Sequence, residues 1–568
     1  MKNEYIQNII SQMSEDQKIG ALLTLGFTGT MVRPHIHDAI IKYHCGGLRL
    51  TPVSRLFGSY VDPKSGKMVM DVTDSKGYKK EIEPPYLTAA QYAQLLNGLQ
   101  EMALSRPLGL PLHFSFDQEG GTSADFNFGG VNIFPKPMGI RATGDVNLAY
   151  ESAKAISRQA KAVGFSWIHS PVLDVNTEPM NPEIYTRAYS DIAEEVMQYA
   201  IKACEGFKEE KMIATGKHFP GRGDSAVDAH FEMPVIKVNF DTMMNRELLP
   251  YRELIKRDLL PSIMIAHSIF PAFDETDIAT VSKKILTGLL RDTLGFDGVI
   301  TTDSMTMGGV AIRYGVANAC AMSLEAGADL VLMKAESSLV EETFNKIKEF
   351  VKAGRISASE LDQKVYRVLK VKYDNELFTP DESIKEAGDP EAVLREPGII
   401  ALSKQIAKRS VLVYKNRDLP LDNPGRILVI EQINKTPNNF YWHPGILYKN
   451  CLKYYSNIDY LETAYTYDDS DKERILKNIE NYDTLIFTNF YIRGKLSNNK
   501  FIEELSAKNI NKKIIVITNT PYPISMPENC QNLIISFATS PDNIEVCAGV
   551  MFGKIQAEGI WPVAWKPE

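Results

Sequence analysis

The sequence predicts an α/β protein in two parts, a closed barrel of alternating strands and helices followed by an open sheet with helices on its faces. Three observations carry this reading. Over roughly the first 370 residues, short apolar runs alternate with helical stretches, the pattern of strand–helix units wound around one core. Carboxylates, histidines and glycines cluster where those runs end, and the carboxyl ends of parallel strands are where such barrels carry their chemistry. After a polar stretch with scattered prolines, a second series of short apolar runs begins. The division is a TIM-like (β/α)8 barrel over 1–375 with an insertion at 54–85, a linker over 376–404, and an α/β sandwich domain over 405–568.

Composition bounds the rest. The chain has 568 residues, 44% hydrophobic and 24% charged, enough to bury large cores. A formal charge of −8 without a basic cluster argues against a nucleic-acid partner. The first twenty residues lack an apolar signal core, and no stretch is apolar for long enough to span a bilayer, so the expectation is a cytoplasmic protein with no membrane partner. The six cysteines are dispersed without CxxC pairs and read as small buried hydrophobes. His35, His37 and His44 lie close in sequence but lack a carboxylate or cysteine to complete a metal site, and no metal or organic cofactor is expected.

The elements follow in order. Ser14-Glu15-Asp16-Gln17 has capping-box spacing, so a first helix starts there and runs toward Leu23. Gly46 to Leu50 reads as a strand. The polar, turn-rich segment 54–85 reads as a long loop or hairpin that shapes the pocket or an oligomer contact; a homodimer is left open. Leu112 to Phe116 is a strand closing on Asp117-Gln118-Glu119-Gly120-Gly121. Trp167 to Val175 is the next strand-to-loop passage, continuing through Asn181-Pro182 to Arg187. Leu260 to Ala266 is a strand ending at His267, Val299 to Thr302 one ending at Asp303, and Leu330 to Met333 the last recognisable strand of the barrel. In the second part, runs at 411–414, 427–430, 484–487, 514–517 and 533–536 predict an open parallel sheet.

The densest chemistry lies in GKHFPGRGDSAVDAHFEMP, residues 216–234. Lys217, His218, Arg222, Asp224, Asp228 and His230 follow a short apolar run, and glycines flank Arg222. Asp228 and His230 are one residue apart, so in extended chain both side chains face the same way. A carboxylate beside an imidazole fixes its tautomer and supports general acid/base work near neutral pH. An isolated D-x-H would be read as turn caps; the surrounding motifs change that balance.

KHFPG-x-GD-x-x-x-D-x-H from Lys217 to His230, DQEGG from Asp117, P-V-x-D-V…N-P…R from Pro171 to Arg187, and LGFDGVITTDSM ending at Met305 together resemble the β-N-acetylglucosaminidase branch of glycoside hydrolase family 3. The resemblance implies a retaining β-glycosidase. Asp303 would be the nucleophile, forming a covalent glycosyl-enzyme, and His230 oriented by Asp228 would be the acid/base. By position in the motifs, Asp117, Arg187, Lys217 and His218 would hold the sugar, with Arg222, His267 and Met305 also counted at the substrate; for Met305, packing is the plainer role. The implied substrate is a terminal β-linked N-acetylglucosamine on muropeptide or chitin fragments, as in cell-wall recycling. Thr122 follows GG where the family commonly has arginine, and Arg222 stands where the branch usually has histidine. Arg222 raises a second reading, a phosphorylase whose arginine binds the attacking phosphate, or a glycosidase of other sugar specificity. A non-catalytic sugar-binding protein is the reading from outside the enzymes; it has no use for Asp303, Asp228 and His230 together.

Overall fold

The computed structural model describes residues 2–52, 59–61, 68–70, 87–228, 233–334, 339–378, 388–433 and 445–567, with backbone alone at 59–61 and 68–70. His230 and the aromatic stretch Asn438 to His443 lie outside the described residues.

Eight strands form the barrel: β1 (Leu23–Thr28), β2 (Gly47–Thr51), β3 (His113–Phe116), β4 (Trp167–Ile168), β5 (Ile213–Phe219), β6 (Ser262–Ile265), β7 (Val299–Ser304) and β8 (Leu330–Met333). Each pairs in parallel with its chain neighbours, and β8 closes on β1. The parallel order follows from crossover helices such as Asn147–Val163 and Ala193–Glu209, whose apolar stripes cover the outside of the sheet. Some polar groups enclosed with the apolar core meet one another: Thr24 Oγ1 lies 2.8 Å from His113 Nε2, and Trp167 Nε1 donates to Thr215 Oγ1 at 2.7 Å.

Ser14 caps Glu15–Ala21 with both halves of the capping box formed. That helix is not the first, because Lys2–Gln12 precedes it. It was missed since only Ile6, Ile9 and Ile10 are buried on an otherwise polar segment. Within the insertion, Ser59–Val61 and Met68–Met70 pair as an antiparallel hairpin. The stretch read as a linker carries two helices, Pro390–Leu394 and Pro397–Ser410, each opened by a proline in its first turn.

The second sheet contains β9 (Leu412–Lys415), β10 (Ile427–Gln432), β11 (Ile458–Thr463), β12 (Thr484–Thr488), β13 (Lys513–Thr518) and β14 (Asn532–Ile535), in the order β9-β14-β13-β12-β10-β11. The expectation of an all-parallel sheet is corrected at one edge, where β9 pairs antiparallel with β14. A short apolar run carries no information on strand direction. Alternation explains the burial of both faces. Leu428, Ile430, Leu485 and Phe487 enter one core with Met138, Ala142 and Tyr185 of the barrel, while Ile427, Val429 and Ile486 enter the core of the other face. The sheet therefore docks on the barrel through one face. The C-terminal segment adds to the seam, as Asp191 accepts from the amides of Ala564 and Trp565 at 2.7 and 2.8 Å.

Candidate active site

The carboxyl ends of β2, β3, β4, β5, β7 and β8 bring one charged cluster together. Asp117, directly after β3, is its hub. Its oxygens accept from Lys217 Nζ at 2.8 Å, Lys334 Nζ at 3.2 Å and the Arg49 guanidinium, which also reaches Asp125 at 2.6 Å. Burial alone would raise the Asp117 carboxyl, but the fields of Lys217, Arg49 and Lys334 overcome it and hold the group well below the usual carboxylate range. Its side chain keeps 22% exposure, more than Arg49 or Lys217, so of the three it is the one open to solvent.

Beneath it, Glu119 is enclosed. It accepts a two-pronged bond from Arg187, 2.7 Å from Nε and 2.8 Å from Nη2, and lies 2.5 Å from Lys217 Nζ. Burial opposes ionisation here too, yet Arg187 and Lys217 bring the carboxyl down to about 2. The remaining Arg187 donors meet the Glu183 carbonyl at 3.1 Å and His218 Nε2 at 3.5 Å. His218 Nδ1 lies 2.7 Å from Asp174 Oδ2. Burial, with the fields of Arg222 and Arg187, keeps the imidazole proton affinity far below its ordinary value, so the ring is neutral. Nδ1–H donates to Asp174 and Nε2 takes the Arg187 donor, which assigns the tautomer. Burial lifts the Asp174 carboxyl to about 6 against Arg222. The Lys217–His218 and Phe219–Pro220 peptides are both cis.

The loop after β5 is fixed by its glycines. A Cβ on Gly223 would lie 1.7 Å from the Val175 carbonyl oxygen, and Gly221 has φ +126° with Glu247 packed against it. Between them Arg222 is enclosed: its amide donates to Asp174 Oδ1 at 2.8 Å, and its Nη2 donates to Glu183 at 2.8 Å and lies 3.6 Å from Asp303 Oδ2. Asp303 ends β7. Its Oδ1 accepts the Ser304 amide at 2.7 Å, leaving Oδ2 on the side of Arg222. Asp228, at the far end of the loop, is 3.7 Å from Arg493 of the second sheet.

Asp117, Lys217, His218, Arg187, Arg222, Asp303 and Asp228 are thus gathered at one end of the barrel. Two expected contacts fall elsewhere. His267 is buried below the β7 end, its Nε2–H donating to the Ser304 carbonyl at 3.1 Å and its Nδ1 at 2.6 Å from Thr280, a place that supports the Asp303–Ser304 backbone. Met305, counted at the substrate with packing as its plainer role, is fully buried in the main apolar core. The sequence reading assigned no role to Glu119, Arg49, Lys334, Glu183 or Arg493. Glu119 stands inside the DQEGG motif and was the one with a signal; Arg493 had none. His169, 3.7 Å from Asp117, is brought down to about 3 by burial and the nearby cations, despite Asp117.

Residues 16–371 match the model for the glycosyl hydrolase family 3 N terminal domain, and the chain belongs to that family. By that membership it is a glycoside hydrolase acting on O-glycosyl bonds. A β-hexosaminidase A of Pseudoalteromonas piscicida is 29% identical over 361 residues, covering 60% of this chain and 59% of that protein, so the alignment spans less than two thirds of that relative. A β-N-acetylglucosaminidase/β-glucosidase of Cellulomonas fimi is 26% identical over 75% of this chain and 73% of its own length. The solved structure of a family 3 β-N-acetylglucosaminidase from Paenibacillus sp. str. FPU-7 superposes with a TM-score of 0.84 at 26% identity, covering 97% of this chain and 99% of that one. These likenesses put the chain in the β-N-acetylglucosaminidase-like branch. Among the described residues no cluster of three or more His, Cys, Asp or Glu is arranged to hold a metal, and no helix is long and apolar enough to cross a membrane. All six cysteines are buried and free.

Proposed function

We propose that the protein is a retaining β-glycosidase that removes terminal β-linked N-acetylglucosamine from oligosaccharides such as muropeptide or chitin fragments. The observation that carries the reading is the placement of Asp303. It lies at the carboxyl end of a barrel strand with one oxygen anchored by an amide and the other 3.6 Å from the Arg222 guanidinium. The carboxylate attacks the anomeric carbon through an oxocarbenium-like transition state and the leaving oxygen departs with a proton, giving a glycosyl–Asp303 ester; water then hydrolyses it. His230, paired with Asp228 by its spacing in the sequence, supplies that proton and later activates the water. Asp117 and the neighbouring cations give a non-reducing sugar both acceptors and donors for its hydroxyls. Held in register, such a substrate gains several kcal/mol of barrier reduction, on the order of 7–11 at most.

The likeness to the relatives named for N-acetylglucosamine supports that sugar. Release of nitrophenol from aryl β-N-acetylglucosaminide and aryl β-glucoside, compared in phosphate-free buffer, tests it: preference for the acetamido sugar is expected, and activity on the glucoside alone would sink the assignment. Loss of turnover in Asp303→Ala with sugar binding retained separates the enzyme from a pure binder.

Phosphorolysis is the second reading. Among the described residues Arg222 Nε and Nη1 have no hydrogen-bond partner although the side chain is buried, a state that an anionic acceptor would relieve. Phosphate-dependent formation of a sugar 1-phosphate would replace hydrolysis as the reaction.

A further inference from the structure

A loop of the second sheet reaches the candidate site. After β12, Tyr491 is locked by Asn519, whose side chain accepts from the Tyr491 amide at 2.9 Å and donates to its carbonyl at 3.0 Å. The Tyr491 hydroxyl donates to the Pro182 carbonyl of the barrel at 2.7 Å, and its ring meets Tyr185 edge-on at 5.0 Å. Two residues on, this docked loop presents Arg493. Its Nη2 is 3.6 Å from Glu183 and its Nε 3.7 Å from Asp228, with both acids almost fully buried. Glu183 also takes Arg222, which faces Asp303. Charges therefore alternate along Asp228, Arg493, Glu183, Arg222 and Asp303, a chain that runs from the acid/base loop to the nucleophile and has a second-domain residue as its link.

We propose that Arg493 is a positioning residue for the reaction, holding the Asp228 side chain in place for acid/base work, so that the second domain is part of the catalytic apparatus. The distances are those of ion pairs rather than tight hydrogen bonds, which suits a group that sets orientation and field without fixing the loop rigidly. Arg493 lies between two buried carboxylates, Asp228 and Glu183. Without it, both remain buried and each loses a neighbouring positive charge.

The proposal rests on the acid/base reading of Asp228 and His230, and the test separates the two. For wild type, Arg493→Ala, Arg493→Lys and His230→Ala, kcat/KM is measured on two β-N-acetylglucosaminides. One bears a methyl leaving group, which needs a proton, and the other bears 2,4-dinitrophenyl, which departs without one. General acid catalysis contributes roughly 10²–10⁴-fold, so Arg493→Ala should lose about 10–100-fold on the methyl glycoside and less than about 3-fold on the dinitrophenyl one. Arg493→Lys should recover part of the loss by restoring the charge. Equal losses on both substrates, or none, overturn the proposal, because a merely structural role does not sense the leaving group. If Arg493→Ala is flat while His230→Ala discriminates, the positioning role alone fails. If His230→Ala also treats both alike, the acid/base reading falls and takes this proposal with it.

Discussion

Replacing Glu119 with glutamine probes the most enclosed part of the site. The wild-type side chain is 2% exposed, bonded twice to Arg187 and once to Lys217, which are 7% and 3% exposed. Glutamine keeps one acceptor oxygen but turns the other position into an NH2 facing a guanidinium or ammonium group, so a donor meets a donor. One positive charge is left unmatched in a buried setting, and removing one partner of such a pair costs about 3–5 kcal/mol. Asp117 stays on Lys217, which favours the lower half of that range. With an unfolding entropy near 2.1 cal/mol/K per residue over roughly 370 barrel residues, the thermal midpoint should fall by about 4–5 °C. The dependence on pH has a definite sign. The Glu119 carboxyl is brought from an ordinary 4.5 to about 2, so its stabilisation is complete above about pH 4.5 and is lost as pH falls toward 2. Calorimetric scans of wild type and Glu119→Gln from neutral pH downward should show the gap closing across that window. A gap under about 1 °C near neutral pH, or one unchanged down to pH 3, would refute the reasoning.

Three further outcomes follow from neighbouring contacts. Gly223→Ala forces a Cβ to within 1.7 Å of the Val175 carbonyl oxygen, so the Arg222 loop must shift. A misplacement of about 1 Å costs on the order of 100-fold in kcat/KM, and steady-state kinetics that match wild type would contradict the packing. Asp174→Asn would offer an NH2 to His218 Nδ1 and reverse the ring tautomer, setting Nε2–H against the Arg187 donor. The expected result is a fall in kcat of at least about 10-fold, with the NMR signal of the histidine proton moving from Nδ1 to Nε2. Tyr491→Phe deletes the hydrogen bond to the Pro182 carbonyl and should lower stability by about 1 kcal/mol, read as a shift in the denaturant midpoint.

Much of the fold was legible because the alternation of apolar runs and helical stretches repeats around the barrel, and because each run ends in groups that a core would not accept. The glycines around Arg222 could be read the same way, as a loop whose backbone needs freedom. Other features had no local signal. Lys2–Gln12 buries only three isoleucines, so its periodicity is faint. The antiparallel direction of β9 depends on how the chain returns to β14, which a run of four residues does not encode. Arg49 read as part of a buried strand, since burial of its charge makes sense only once Asp117 and Asp125 are placed beside it. Arg493 is 265 residues beyond Asp228 in the chain, and nothing in its own loop distinguishes it from a surface arginine. Met305, counted at the substrate by its closeness to Asp303 although packing was the plainer role, lies just past the end of β7 and is buried in the main core.

The measurement that bears most directly on the central claim is trapping of the glycosyl-enzyme. Incubation with a fluorinated N-acetylglucosaminyl donor slows hydrolysis of the intermediate, and peptic digestion followed by mass spectrometry locates the label. A sugar adduct on the peptide containing Asp303, absent from Asp303→Ala, is the result the account predicts. An adduct on another residue, or full turnover by Asp303→Ala, would contradict it.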